Sequence, residues 1–337
     1  MKDYDENETT KYISYLDANN LYGWAMSQCL PTGGHKWLKP TNVDLSKYKN
    51  DSKKGIILEV DLEYPKELHD KHNDYPLAPE QLNITDDMLS PYANKIKNLH
   101  HIHSGGVKLA PNLMNKMKYV VHYRNLQLYT DLGMKVTKVH RVLEFDQSPW
   151  LAPYINFNTE KRKLAKNVFE KDFFKLMNNS VFGKTMENLR KRVDIRLVTS
   201  EKKLLKWVSK PSYVSSKIFN KNLVAIHKIK ETLVLNRPVY VGQAILDLSK
   251  TLMYDFHYNY ILKKYDNVKL LATDTDSLMY EIETEDIYKD FFKDRHLFDN
   301  SDYPTSSPYH YTDNKKVIGK FKDECGSVPI IEFVGLR

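Results

Sequence analysis

At 337 residues, 41% of them hydrophobic and 12% aromatic, the chain can bury one large core or two or three smaller ones. Its 51 Lys and Arg against 43 Asp and Glu give a formal net charge of +8, which favours a polyanionic partner, nucleic acid foremost, although a basic enzyme with a solvated surface carries the same balance. Two cysteines exclude a disulfide framework and a Cys-rich zinc site, and no apolar run approaches the roughly 20 residues that a bilayer-spanning helix needs.

The acidic start MKDYDENETTKY matches neither a secretory signal nor an Arg-rich transit peptide, so an intracellular protein without a membrane partner is expected. Ile13 to Leu16 is a short β-type run that delivers Asp17 to a tight bend at NNLYGWAM. From Ile56 to Tyr64, Leu58, Val60 and Leu62 alternate with Glu59, Asp61 and Glu63, the pattern of a half-buried strand stopped by Pro65. Residues 66–114 show no steady period and read as an irregular insertion; His100, His101 and His103 within it lack a cysteine or a matching partner set and read as a surface loop rather than a zinc site.

Lys116 to Leu132 carries aromatic and apolar residues at helical spacing and stops at Gly133, so a helix is expected there, followed by a strand over Lys135–Phe145. Thr159–Arg190 reads as a basic helical pair with a break around Asn179–Gly183, residues 195–235 are mixed and Lys-rich, and Val239–Tyr260 reads as an amphipathic helix. Two apolar β runs then meet at DTDS, which predicts a hairpin with Asp274 and Asp276 at its tip.

Joining nucleotides requires a 3′ hydroxyl to attack an α-phosphate in line, and two divalent cations roughly 3.5–4 Å apart can stabilise the attacking and leaving oxygens. Magnesium wants oxygen ligands in near-octahedral geometry, typically carboxylates from separate elements. Asp17 at a strand end with Asp274 and Asp276 at a hairpin tip form such a set, although D-T-D by itself is equally an ordinary turn. Lys161, Lys171 and Lys175 fall on nearly one face of a helix at 100° per residue, a cationic stripe or simply a solvated one.

Three segments, in order, resemble the motifs of family B DNA polymerases. SYLDANNLYGWAM looks like D-x-x-S-L-Y-P, KLMNNSVFGK looks like K-x-x-x-N-S-x-Y-G, and ATDTDSLMY looks like Y-x-D-T-D-S. The long inserts between the first two are similar to the protein-primed branch found in phages, linear plasmids, organelles and large DNA transposons. The resemblance implies an α+β right-hand fold: an antiparallel palm sheet backed by helices, helical fingers, and neither exonuclease domain nor thumb. Its expected layout is first-motif palm at 1–30, an insertion with palm strands at 31–145, fingers at 146–193, a second insertion at 194–235 and third-motif palm at 236–337.

The same resemblance implies template-directed DNA synthesis with Mg²⁺ or Mn²⁺ as a two-ion cofactor, held by Asp17 and Asp276 and supported by Asp274. Leu21, Tyr22, Lys161, Lys171, Lys175 and Asn179 are implied to bind the incoming dNTP. Tyr22 would pack on its sugar and reject a 2′ hydroxyl, and the backbone amides of Asn20 to Gly23 would meet the triphosphate. Ser180, Phe182, Gly183, Gly242, Lys320 and Lys322 are implied to contact template and primer, with Gly183 allowing close backbone approach. The partners implied are DNA, dNTPs and a terminal priming protein. Gly23, Phe182 and Ala272 stand where the family has proline, tyrosine and tyrosine. Asp61-x-Glu63 imitates an exonuclease D-x-E but sits on a strand after the first motif and reads as structural. Two readings compete with the polymerase: a reverse transcriptase, disfavoured by the K-x-x-x-N-S-x-F-G helix, and a mobile-element remnant that binds DNA without turnover.

Overall fold

The computed structural model describes residues 10–102 and 106–335, so His103 of the histidine cluster lies outside the described residues. The chain divides into two compact units: a larger one, which takes in the described residues up to Asn179 and from Gln243 onward, and a smaller one, Ser180–Gly242. In chain order the elements begin with β1 (Lys11–Ala18), α1 (Leu21–Met26), β2 (Leu30–Leu38), β3 (Lys54–Glu63), α2 (His69–His72), β4 (Glu80–Asn83) and α3 (Pro91–Leu99). There follow β5 (Val107–Ala110), β6 (Lys116–His122), α4 (Tyr123–Asp131), β7 (Lys135–Ser148), α5 (Ala152–Leu164) and α6 (Val168–Thr185). The smaller unit contributes β8 (Asp194–Val198), α7 (Glu201–Val208), β9 (Tyr213–Asn220) and β10 (Leu223–Lys228). Next comes α8 (Val239–Asp255), which widens into a π turn over Phe256–Ile261 and closes as α9 (Leu262–Lys264), before β11 (Val268–Asp274), β12 (Ser277–Glu283), α10 (Ile287–Lys293) and β13 (Phe321–Asp323).

The fold is mixed α+β with several antiparallel sheets. In the larger unit one four-stranded sheet runs β11-β12-β1-β13, another runs β2-β7-β3-β6, and β4 pairs with β5 as a separate ribbon. The first sheet is built from alternation: Ser14, Leu16 and Ala18 of β1 and Leu278, Tyr280 and Ile282 of β12 turn inward. What sits between the two four-stranded sheets is the α8 helix with its π turn. Met253, Phe256 and Ile261 pack into the core of the first sheet, whereas Tyr254 and Tyr258, one turn apart, join the core under β3, β6, β7 and α4. Phe256 also stacks on Phe321 of β13 with ring centroids 3.5 Å apart. The amphipathic reading of Val239–Tyr260 is therefore corrected: this helix buries two faces, because it is sandwiched rather than laid on a surface.

Several polar side chains inside this sandwich are paired with one another or with the backbone. His257 Nδ1 lies 2.9 Å from the Tyr280 hydroxyl, and His72 Nδ1 lies 2.9 Å from that of Tyr64. Tyr258 and Tyr254 donate to the carbonyls of Tyr75 and Pro76. Asp247, buried, accepts the His122 N–H at 2.8 Å.

Several local expectations change. Lys116–Leu132 is not one helix: β6 pairs with β3 through His122, and only Tyr123–Asp131 is helical, because pairing with a neighbouring strand outweighs an apolar spacing compatible with either form. The fingers-like pair breaks at Ala165–Asn167 rather than at Asn179–Gly183. Asn167 accepts the Glu170 N–H and Glu170 accepts the Lys166 N–H, a reciprocal cap that starts α6, which then runs through Gly183 to Thr185. Residues 66–114 hold two short helices and the β4–β5 ribbon. The β3 strand is buried on both faces, and Asp61 is occupied by His140 at 2.8 Å and by the Lys118 N–H at 2.8 Å.

In the smaller unit β10 is central, with β8 and β9 on its two edges. Val198, Ile226 and Lys228 share its buried face, where the Trp207 ring of α7 receives Lys228 at 4.6 Å, Lys210 at 4.7 Å and Arg196 at 5.7 Å. Glu187 pairs with Arg192 at 2.7 Å and Arg237 at 2.9 Å. Among residues 180–242 there are fourteen Lys and Arg against four Asp and Glu, a net +10, which leaves −2 for the rest of the chain.

The buried imidazoles make the fold acid-labile. Burial depresses both His72 and His257 to about 4, below the 6.5 of an unfolded histidine. The unfolded chain therefore binds protons first as pH falls, and stability drops progressively between pH 6.5 and 4, by up to about 3 kcal/mol per ring. Denaturant titrations at pH 7.5 and 4.5 are expected to show this loss, and a His72→Gln, His257→Gln double variant to show much less of it.

Candidate active site

The first sheet's register decides where the acidic residues meet. Asp17 of β1 pairs with Ser277 of β12, and the Ala18 N–H donates to the Asp276 carbonyl at 2.7 Å, so the Asp17 and Asp276 side chains come from adjacent backbone positions. The turn between β11 and β12 consists of Thr275 and Asp276. Thr275 is held at φ 55°, and Ser277 Oγ donates to the Asp274 carbonyl. After Asp17 the chain turns through Asn20, at φ 46°, whose side chain accepts the Gly23 N–H and caps α1. A Cβ at Gly23 would fall 2.1 Å from Asn20 Nδ2, and a proline would remove the N–H that Asn20 accepts, so glycine suits this turn on both counts.

These residues line one wall of a cavity of about 360 Å³ within the larger unit. Asp17, Asn19, Asn20, Leu21, Tyr22 and Asp276 contribute to it together with Lys175 and Asn179 of α6, Arg162 of α5, and Lys322 and Glu324 at β13. Burial, then the charges of Asp276 and Glu324, push the Asp17 carboxyl up to about 7. Asp276 is also raised, by burial first and then by Asp274 and Glu324, while Lys175 pulls both carboxyls down. Burial and the Asp276 charge raise the Tyr22 phenol. Lys322 is already committed, to Asp302 at 2.8 Å and Glu324 at 3.2 Å.

The remaining expected site residues lie elsewhere. Asp274 is exposed and does not line the cavity, although its charge reaches Asp276. Lys161 stands over the Phe157 ring at 5.5 Å and is replaced at the cavity wall by its neighbour Arg162, because Lys161 and Lys175 sit on two separate helices, so the single-helix spacing does not hold between them. Lys171 is exposed and outside the wall. The Gly23 amide is used by Asn20 rather than left open for a ligand. Lys320 donates to the His296 carbonyl. Ser180, Phe182, Gly183 and Gly242 belong to the smaller unit; a Cβ at Gly183 would meet nothing within 4 Å, so no close approach explains that glycine, whereas one at Gly242 would strike Met186 and Thr185. His100 and His101 are exposed.

Arg162, Glu324, Asp299, Ser301, Asp302 and Lys316 line the cavity without having been expected there. Only Glu324 had a sequence signal, its place in the charged run KFKDE. Among the described residues no three His, Cys, Asp or Glu side chains gather closely enough to hold a metal by themselves. The donor set fits a divalent cation in a narrower sense. Two half-buried carboxyls are both raised, Asp17 by burial and the Asp276 charge and Asp276 by burial and the Asp274 charge, an excess of negative charge that a bound cation relieves, and Mg²⁺ is commonly held by one or two carboxylates with water and substrate phosphates completing its shell. Among the described residues no helix is long and apolar enough to cross a membrane.

No family model matches the chain, and no curated protein matches its sequence. Among solved structures it is similar to Phi29 DNA polymerase in an orthorhombic crystal form, at 15% identity and a TM-score of 0.50 over 95% of this chain and 44% of that one. It is similar to the same extent, 15% and 0.50, to Phi29 DNA polymerase complexed with primer-template DNA and incoming nucleotide substrates, over 95% of this chain and 45% of that one. At this identity the likeness is one of fold, and the chain spans less than half the length of the polymerase it matches.

Because Asp17 binds its proton more tightly folded than unfolded, its charge destabilises the fold as pH rises from about 4 through 7. Asp17→Asn is expected to stabilise the fold at pH 8 by roughly 1 kcal/mol given the site's solvent access, raising the thermal midpoint there, and to change little at pH 4. Differential scanning fluorimetry at both values checks this; Mg²⁺ should stabilise the parent chain more than the variant.

Proposed function

We propose that this chain carries the nucleotidyl-transfer centre of a template-directed DNA polymerase, adding dNTPs to a primer's 3′ hydroxyl. One observation carries the reading: Asp17 and Asp276, both raised by burial and nearby negative charge, share a cavity with Tyr22 and with Lys175 and Arg162, neither of which has an ion-pair partner among the described residues. The three sequence motifs and the fold likeness support it. Asp17 and Asp276 would hold Mg²⁺ or Mn²⁺, which when bound supplies neutralisation of the charge on the attacking and leaving oxygens. Asp274 would act on Asp276 through its field alone.

Lys175 is the cation whose charge reaches both carboxylates, so it is suited to a triphosphate seated between them. The Tyr22 ring, half-buried on α1, is positioned to close the space beside the sugar, favouring deoxyribonucleotides. Asn179, whose Oδ1 is buried without a partner, can receive a donor from the base or sugar. DNA would be attracted by the basic smaller unit, and a priming protein belongs to the same proposal.

The net +10 of residues 180–242 also favours a second reading, a DNA-binding remnant that does not turn over. Extension of a labelled primer on a DNA template with Mg²⁺, then Mn²⁺, separates the two. Asp276→Asn is expected to abolish extension while leaving salt-sensitive DNA binding within about twofold. Persistence of extension in that variant would show that the site is misassigned, and folded, DNA-bound parent protein that extends nothing would favour the remnant. Tyr22→Ala is expected to raise ribonucleotide incorporation relative to deoxyribonucleotide, by an order of magnitude or so; an unchanged ratio would refute the sugar role.

A further inference from the structure

The cavity has another wall, supplied by the irregular loop between α10 and β13, which none of the sequence motifs covers. The loop is fastened to the turn after Asp17. Asn19 Nδ2 donates to Asp299 Oδ2 at 2.8 Å, the Asn19 N–H donates to the Lys320 carbonyl at 2.8 Å, and the Gly319 N–H donates back to the Asn19 carbonyl at 2.8 Å. Asp299, only 2% exposed, also accepts the N–H of Lys316 on Oδ2 at 2.8 Å and that of Ser301 on Oδ1 at 3.1 Å. One buried carboxylate thus ties the backbone of Lys316 to the residue two places after Asp17.

Lys316 is held at φ 55°, a left-handed conformation that a residue with a Cβ adopts only at a cost. Of seven such non-glycine residues among those described, Asn20 and Lys316 line this cavity and Thr275 directly precedes Asp276. Backbone strain of this kind gathers where surrounding structure enforces a working geometry. The Lys316 side chain lines the cavity and has no ion-pair partner among the described residues, since Asp302, the nearby carboxylate, takes Lys322. Its neighbours in charge are Arg162, Lys171 and Lys315, opposed by Asp302, and Arg162 Nε is buried without a hydrogen-bond partner. Burial and these like charges push the Lys316 ammonium below its ordinary pKa. Converging, unpaired cations facing two carboxylates fit a ligand that is itself a chain of anionic groups, with the cations on its oxygens and any bound cation between it and the carboxylates.

We propose that Lys316 is a polyphosphate-binding residue, holding the triphosphate tail of a nucleotide together with Arg162 and Lys175, and that the Asn19–Asp299 hydrogen bond keeps it in place. This deepens the nucleotidyl-transfer reading and rests on it for the ligand's identity. The alternative source of the same chemistry is the phosphate backbone of a DNA strand, and the experiment distinguishes the two.

Calorimetric titration of the full chain with dATP, inorganic tripolyphosphate, deoxyadenosine and a primer-template duplex compares the parent with Lys316→Gly, Lys316→Arg and Lys315→Ala. Glycine removes the ammonium and relieves the left-handed strain, so Lys316→Gly should melt no lower than the parent. It should nonetheless bind dATP and tripolyphosphate about tenfold more weakly, the loss expected for one charge-assisted contact, with duplex binding unchanged. Lys316→Arg should recover most of the affinity, and Lys315→Ala, altered at an exposed neighbour, should match the parent. Equal tripolyphosphate affinity in Lys316→Gly, or a loss confined to the duplex, would overturn the proposal. A parent chain that extends no primer yet binds tripolyphosphate through Lys316 would sustain this inference while refuting the polymerase reading. Primer extension with an unchanged KM for dNTP in Lys316→Gly would do the reverse.

Discussion

Two carboxylates held side by side in a partly buried cavity are an electrostatic liability, and the geometry of the larger unit is organised around keeping them there. The liability arises from strand register: β1 and β12 pair so that Asp17 and Asp276 leave the sheet next to each other, and slipping the register by one residue would turn Asp17 to the opposite face while exposing Leu16. Burial of Leu16, Leu278 and Tyr280 against the helix beneath fixes that register. The sheet's hydrophobic pattern and the site's charge pattern are therefore one constraint, and apolar burial offsets the repulsion between the acids.

The helix beneath deserves the same reading from its other side. Because α8 and its π turn are buried against both sheets, Tyr254 and Tyr258 transmit the position of the second sheet to the helix, while Phe256 and Met253 transmit it to the first. A π turn inserts an extra residue into the helical repeat, which re-aims the side chains that follow it and lets one helix present apolar groups to two differently oriented layers. The histidine–tyrosine pairs inside satisfy polar groups that such a two-sided burial would otherwise strand.

Charge is distributed unevenly between the two units, and this bears on the proposed chemistry. The smaller unit carries an excess of ten positive charges, whereas the larger is close to neutral and places Arg162, Lys175 and Lys316, without ion-pair partners among the described residues, on the cavity wall. A polyanion would thus meet a diffuse basic surface in one unit and a few placed cations in the other, the division of labour between long-range attraction and geometric binding that nucleotide polymerisation requires.

What the sequence by itself determined is local. The short β run of β1, the strand at β3, the two apolar runs of the β11–β12 hairpin, the turn chemistry of D-T-D-S, and the placement of Asp17 at a strand end are all readable because strand and turn propensities act over a few residues. The resemblance to the family B motifs put Tyr22 and Lys175 among the candidates, and both line the cavity with Asp17 and Asp276. The tertiary structure alone decided what depends on distant partners. Lys116–His122 became a strand because β3 lies beside it, Arg162 rather than Lys161 reached the cavity because two separate helices present the lysines, and Val239–Tyr260 acquired a second buried face because a second sheet covers it. Asp299, Lys316 and Glu324 stand far along the chain from Asp17 in segments without periodicity, and only the hydrogen bonds of Asn19 and the pairing of β13 with β1 bring them to it. Periodicity reports which face of an element is buried, and it carries no information about which distant loop will be fastened across a site.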